Sequence, residues 1–211
     1  MKRIHTLFLA AAAPVAAGAL LLSARTFEPA PLASPIANPA AAGEWKVDPV
    51  HSTVLFKINH VGASTSWGRF NDVQGKIQFD PAAPEKSAIE LVIKADSVDT
   101  NSEGRDKHVK GPDFFAVKEH PEITFKSKSV KKVNEHEMEV TGDLTFHGVT
   151  KPITTKVMHV GSVKHPKMGE LVGFDATFTI KRSDFGVTTY VKEKALGDDV
   201  TVLVSLEGAK S

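Results

Sequence analysis

The 211-residue chain contains no cysteine. That absence removes disulfides, thiolate nucleophiles, cysteine-ligated zinc and the lipid-modified cysteine of a lipoprotein together. An excess of one charge is missing too: 26 basic residues face 25 acidic ones, a formal charge of +1. Four charged residues, Lys2, Arg3, Arg25 and Glu28, lie in the first 43 positions, so the remainder carries 23 basic and 24 acidic groups. A nucleic-acid footprint needs a clustered basic excess, which this balance excludes. Lys126, Lys128, Lys131 and Lys132 do cluster, but Glu135, Glu137 and Glu139 follow directly and mark a solvated face. Helical periodicity is nearly absent after residue 43. Long apolar runs are confined to one, Leu7 to Leu22, interrupted by Pro14 and Gly18 and preceded by Met1-Lys2-Arg3-Ile4-His5. It is shorter than the roughly 20 residues that span a bilayer comfortably.

A basic start, an apolar core and a Pro/Ala-rich continuation read as a secretory signal over residues 1–24 and a linker over 25–43. Leu22-Ser23-Ala24 has the right distance for cleavage but a leucine where a small residue is preferred; Ala40-Ala41-Ala42 is small but far downstream. An uncleaved anchor, which would tether the chain beside a membrane, stays open. Residues 44–211 are enough for one domain with a sizeable core and too few for two.

What is there is alternation. In Asp48-Pro49-Val50-His51-Ser52-Thr53-Val54-Leu55-Phe56-Lys57-Ile58-Asn59-His60, Val54, Phe56 and Ile58 share one face with Ser52 and His60, while Leu55, Lys57 and Asn59 share the other. The run Arg69 to Phe79 holds Val73, Gly75, Ile77 and Phe79 in phase and Phe70 out of phase, which predicts a bulge near Asn71-Asp72. Ile89, Leu91, Ile93 and Ala95 follow after the Asp80–Pro84 turn. Further runs are Ile123 to Val130, Met138 to Phe146, Ile153 to Val160, Leu171 to Arg182 and Val200 to Glu207. His147-Gly148 joins two of them as a hairpin. Asp99 to Gly111 does not alternate; Asn101 or Ser102 caps a short helix that Gly111-Pro112 ends. The reading is all-β: about eight antiparallel strands with one short helix between the third and fourth. Closure gives a barrel able to hold one small ligand; a sandwich with a solid core is the competing architecture.

The strand from Asp48 to His60, Gly68-Arg69-Phe70 with Gly75, Asp99 to His108 running into Phe114-Phe115 and His120-Pro121, Gly142 to Pro152, and Arg182-Ser183-Asp184-Phe185-Gly186 together resemble the YceI-like family. The resemblance runs from about Trp45 to Leu206, in order. It implies a lipocalin-like antiparallel barrel, exported to the periplasm, that holds an isoprenoid or other amphipathic lipid in its lumen.

Phenylalanine is frequent, 12 against two tryptophans and one tyrosine. With the resemblance, the lumen is expected to be lined by Val54, Phe56, Ile58, Phe70, Phe79, Phe125, Phe146, Phe174 and Phe178; the bland alternative packs them as solid core. For a headgroup the candidates are His60, beside Phe56 by parity, and the basic residues of the motifs, Arg69, Arg105, Lys110 and Arg182. Arg182-Ser183-Asp184 also reads as a closure of a strand end. No cofactor is expected, and no metal: His51 and His60 lie on opposite faces. Asp48, His51 and Ser52 are adjacent in sequence without a Gly-x-Ser-x-Gly elbow, and Asp184-Phe185-Gly186 has no other kinase motif beside it, so no catalysis is expected. The readings carried forward are a non-enzymatic lipid carrier, monomer or homodimer; a quinone carrier; and an exported partner-binding domain with a filled core.

Overall fold

Two-residue alternation carried through many short runs builds strands whose inner and outer faces differ in polarity, and such a sheet buries its apolar face by closing on itself. The computed structural model describes residues 42–210. The expected signal and the linker up to residue 41 lie outside the described residues. The strands are β1 (Gly43–Val47), β2 (Thr53–His60), β3 (Ser64–Phe70), β4 (Val73–Phe79), β5 (Ala88–Lys94), β6 (Val98–Asp99), β7 (Glu122–Lys132), β8 (Glu137–Phe146), β9 (Val149–His165), β10 (Gly169–Lys181) and β11 (Leu196–Lys210). The helix α1 (Glu103–Val109) stands between β6 and β7.

All strand pairs are antiparallel, and the order β1-β4-β5-β7-β8-β9-β10-β11 returns to β1 through a second pairing. The remaining strands β2, β3 and β6 continue β1, β4 and β5 past a break: Trp45 pairs Ile77 while Val54 pairs Phe70, and Gly75 pairs Leu91 while Phe70 pairs Val98. The sheet is therefore an eight-stranded closed barrel in which three strands are interrupted, with the helix between the third and fourth. A sandwich is excluded by the β1–β11 closure.

Two of the three breaks have a local cause in their hydrogen bonds. Between β1 and β2, Asp48 accepts the Val50 amide and bonds His51 Nδ1 at 2.7 Å, turning the chain at Pro49. Between β3 and β4 the two-residue step from Phe70 to Val73 leaves both buried at the expected bulge, and Ser97 stitches it: Asn71 N donates to the Ser97 carbonyl and Asp72 N to Ser97 Oγ. Helix α1 starts at Ser102 as one of the two expected caps, yet the serine hydroxyl makes no cap bond. Asp106 instead accepts from the Thr100 amide and hydroxyl.

One end of the barrel is packed solid. Trp45, Val47, Val73, Ile77 and Val172 are at most 3 % exposed, and Phe79 sits edge-on to Phe174 with centroids 5.0 Å apart. Packing at that end is dense enough to hold these strands together with no disulfide.

Candidate ligand cavity

Above the packed end the inward-facing residues change character. Phe56, Phe125, Phe178, Ile180, Val202 and Val204 point inward by strand parity but are only half-buried, because they face a cavity of about 490 Å³ rather than one another. Ligand sites of that kind run from roughly 300 to 1,000 Å³. Helix α1 and the segment after it roof the cavity with Val109, Phe114 and Phe115. Phe115 packs between Phe56, Phe70 and Phe146 at centroid distances of 5.4 to 6.1 Å.

Eight of the nine residues expected in the lumen border this cavity: Val54, Phe56, Ile58, Phe70, Phe125, Phe146, Phe174 and Phe178. Phe79 does not. It shares the correct face, but it stands so near the end of β4 that Phe174, His159 and Trp45 cover it. Period two identifies a face and is blind to height along the barrel axis. His159 packs beside Phe79: burial lowers its pKa, and its Nε2 bonds Ser162 Oγ at 2.8 Å.

The expected headgroup residues separate. His60 borders the cavity at its exposed rim. Arg69 points away and pairs with Asp99 at 3.2 Å, which also accepts from Asn71. Lys110 pairs with Asp96 at 3.1 Å and does not reach the lumen. Arg182 borders the cavity and is 3 % exposed, but four of its five N–H donors go to backbone carbonyls: Nε to Gly197, one on Nη1 to Val187, and both on Nη2 to Thr189 and Leu196. Burial lowers its pKa; its charge is held by these four carbonyl oxygens, which shape the segment between β10 and β11. The expected closure of the strand end is therefore correct for Arg182, but Asp198, and not Asp184, takes the Ser183 amide and hydroxyl.

The other cation that borders the cavity is Arg105, from the first part of α1. Its Nε donates to Thr100 Oγ1 and one Nη2 bond goes to the Thr100 carbonyl, while Nη1 has no bond among the described residues. Sequence carried a usable signal for it. Val109 is the single apolar residue of the helix and must face the barrel, and Arg105 lies one turn before it on the same side.

Asp48, His51 and Glu207 bring their ligand-type atoms within 4.8 Å of one another, the one such group among the described residues. They already pair: His51 Nδ1 lies 2.7 Å from Asp48 and 3.6 Å from Glu207. The bond raises the His51 pKa and lowers that of Asp48. Ser52 Oγ bonds the backbone of Glu207 and not His51, so no nucleophile–base pair forms.

The family model for the YceI-like domain matches residues 45–208. The chain belongs to the YceI-like family. A UPF0312 protein of Ectopseudomonas mendocina is 40 % identical over 180 residues, covering 83 % of this chain and 92 % of that one. The crystal structure of the Campylobacter jejuni YceI protein superposes with a TM-score of 0.67 at 35 % identity, covering 74 % of this chain and 91 % of the other. A Saccharophagus degradans domain described as polyisoprenoid binding shares the fold, with a TM-score of 0.64 at 16 % identity, covering 81 % of this chain and 99 % of that one.

Proposed function

We propose that this YceI-like protein is a non-catalytic carrier that holds one amphipathic lipid with an isoprenoid-type tail inside its barrel, in the periplasm. The observation that carries the reading is the cavity itself: an apolar lumen, sealed at one end by Trp45 and Val172 and bordered at the other by His60, Ser64, Ser66, Thr100 and Arg105. Such a gradient suits a molecule with a long apolar tail and a polar head. Burying the tail contributes about 0.8 kcal/mol per methylene-sized group, so a few isoprene units offset the loss of freedom on binding. Arg105 favours a head that accepts hydrogen bonds, a phosphate or a quinone carbonyl. The polyisoprenoid-binding description of the Saccharophagus domain agrees with this content. Export rests on the signal-like segment 1–24.

The direct test is to purify the protein from its own envelope, extract it under denaturing conditions and identify bound lipid by mass spectrometry. A single isoprenoid or quinone near one per chain is the expected result. No lipid, together with no uptake of added isoprenoids, would overturn the carrier reading in favour of a partner-binding domain.

A further inference from the structure

A lipid held in a barrel must cross from a membrane into the lumen, and the exposed residues that border the cavity are His60, Ser64, Trp67 and Arg105 at its open end and Asp175 on β10. The same rim displays large side chains that stay about half exposed, although Trp67 also borders the cavity and the Tyr190 ring lies 6.4 Å from that of Phe114. Val61 at the β2–β3 tip is 54 % exposed, Trp67 49 % and Tyr190 46 %. Val61 and Tyr190 also sit at φ +48 and φ +63, the left-handed region that bulky and β-branched residues avoid. A hairpin tip is satisfied at lower cost by asparagine or glycine, so a strained valine pointing at water is explained by neither the turn nor the core.

The two strained segments form one surface. Val61 N donates to the Ala195 carbonyl at 3.1 Å, Leu196 N donates to the Tyr190 carbonyl at 3.2 Å, and Leu196 pairs with His60 across the β2–β11 edge. Lys57 Nζ lies 5.6 Å above the Trp67 ring. Lys57, Lys192 and Lys194 flank these side chains and make no ion pair among the described residues, and the one acid between them is the exposed Glu193. Amphipathic rings and an exposed aliphatic tip among unpaired lysines match an apolar boundary beneath a negative surface.

We infer that this rim docks on an anionic phospholipid bilayer, with Val61, Trp67 and Tyr190 entering the headgroup boundary and the three lysines facing lipid phosphates, so that cargo passes between membrane and lumen without crossing water. The inference rests on the carrier reading for its purpose, but its test does not. Trp45 is sealed and Trp67 is exposed, so a change in tryptophan emission reports the rim. The full chain is mixed with vesicles of phosphatidylcholine and phosphatidylglycerol. Trp67 emission is expected to shift to the blue and to become shielded from iodide, and Trp67→Phe is expected to abolish the response even if residues 7–22 hold the chain on the vesicle. Loading of retinol, a fluorescent isoprenoid probe, is then timed from vesicles and from detergent micelles. Val61→Asp combined with Tyr190→Asp is expected to slow loading from vesicles roughly tenfold and leave loading from micelles unchanged. Met158→Asp with Val160→Asp, on the exposed outer face of β9, is the control and should change neither. Trp67 that stays quenchable on vesicles, or a rim variant that loads from them as fast as the parent, would overturn the docking surface and leave it to a protein partner. Failure to load from both sources would instead overturn the lumen reading, while the Trp67 response still decides docking.

Discussion

Phe174 and Phe178 share a face of β10, four residues apart, and differ in what the same substitution should do. Phe174 is 5 % exposed and wedged against Phe79 and His159, so Phe174→Asp buries a carboxylate among rings with no partner and is expected to unfold the domain, a loss of more than about 4 kcal/mol. Phe178 is half-buried against the lumen, where water can reach a carboxylate. Phe178→Asp is expected to stay folded by circular dichroism and to lose isoprenoid uptake; a variant that binds as well as the parent would remove Phe178 from the site. Outside the lumen, the Asp48–His51 pair makes stability depend on pH in a defined window. A lowered Asp48 pKa adds stability above the ordinary aspartate value of about 4 and loses it as pH falls through the folded value; a raised His51 pKa adds stability below about 6.5 and loses it as pH rises through the folded value. The stability difference between the parent and His51→Ala in urea should therefore be larger near about pH 5.5 than near about pH 9. Equal differences at both would show that the pair does not form.

At the scale of elements, legibility followed the contrast between the two faces of a strand. In β8 every inward residue, Met138, Val140, Gly142, Leu144 and Phe146, is buried and every outward one is not, so period two alone places the strand. The first five residues of β3, Ser64-Thr65-Ser66-Trp67-Gly68, escaped because the inward positions are two serines and a glycine. A Cβ on Gly68 would stand 2.3 Å from the Phe56 ring, so the small residue exists to admit that ring, a packing reason with no trace in the local pattern. The strand β1 escaped for its length, five residues of which only Trp45 and Val47 are buried. Arg182 shows what a tertiary role adds to a local motif: its position at a strand end was readable, its four carbonyl partners were not. Arg182→Lys keeps the charge but cannot reach four oxygens at once, and is expected to cost about 3 kcal/mol. Hydrogen exchange should accelerate at the Val187 and Leu196 amides while β7 and β8 stay protected. Unchanged exchange there would mean that the segment between β10 and β11 holds its shape without the guanidinium.

Whether the whole barrel is hollow or filled is the property that alternation never reports, since a packed core and a greasy lumen demand the same inward residues. The structure distinguishes them by a gradient along the axis, from Trp45 at 0 % exposure to half-buried phenylalanines and valines around the cavity. A substitution can make the same distinction in solution. Ala176 lies on β10 between Phe174 and Phe178 and borders the cavity. In a filled core, Ala176→Trp would overpack its surroundings and destabilise by about 1–3 kcal/mol or more. In a hollow barrel the indole enters empty space and replaces missing contacts, so stability should hold or rise by up to about 1 kcal/mol. Uptake of the isoprenoid probe should vanish at the same time, because the ring occupies the volume the tail would use. Stability and binding thus move in opposite directions only if the lumen exists, and a loss of both would return these phenylalanines to the role of core.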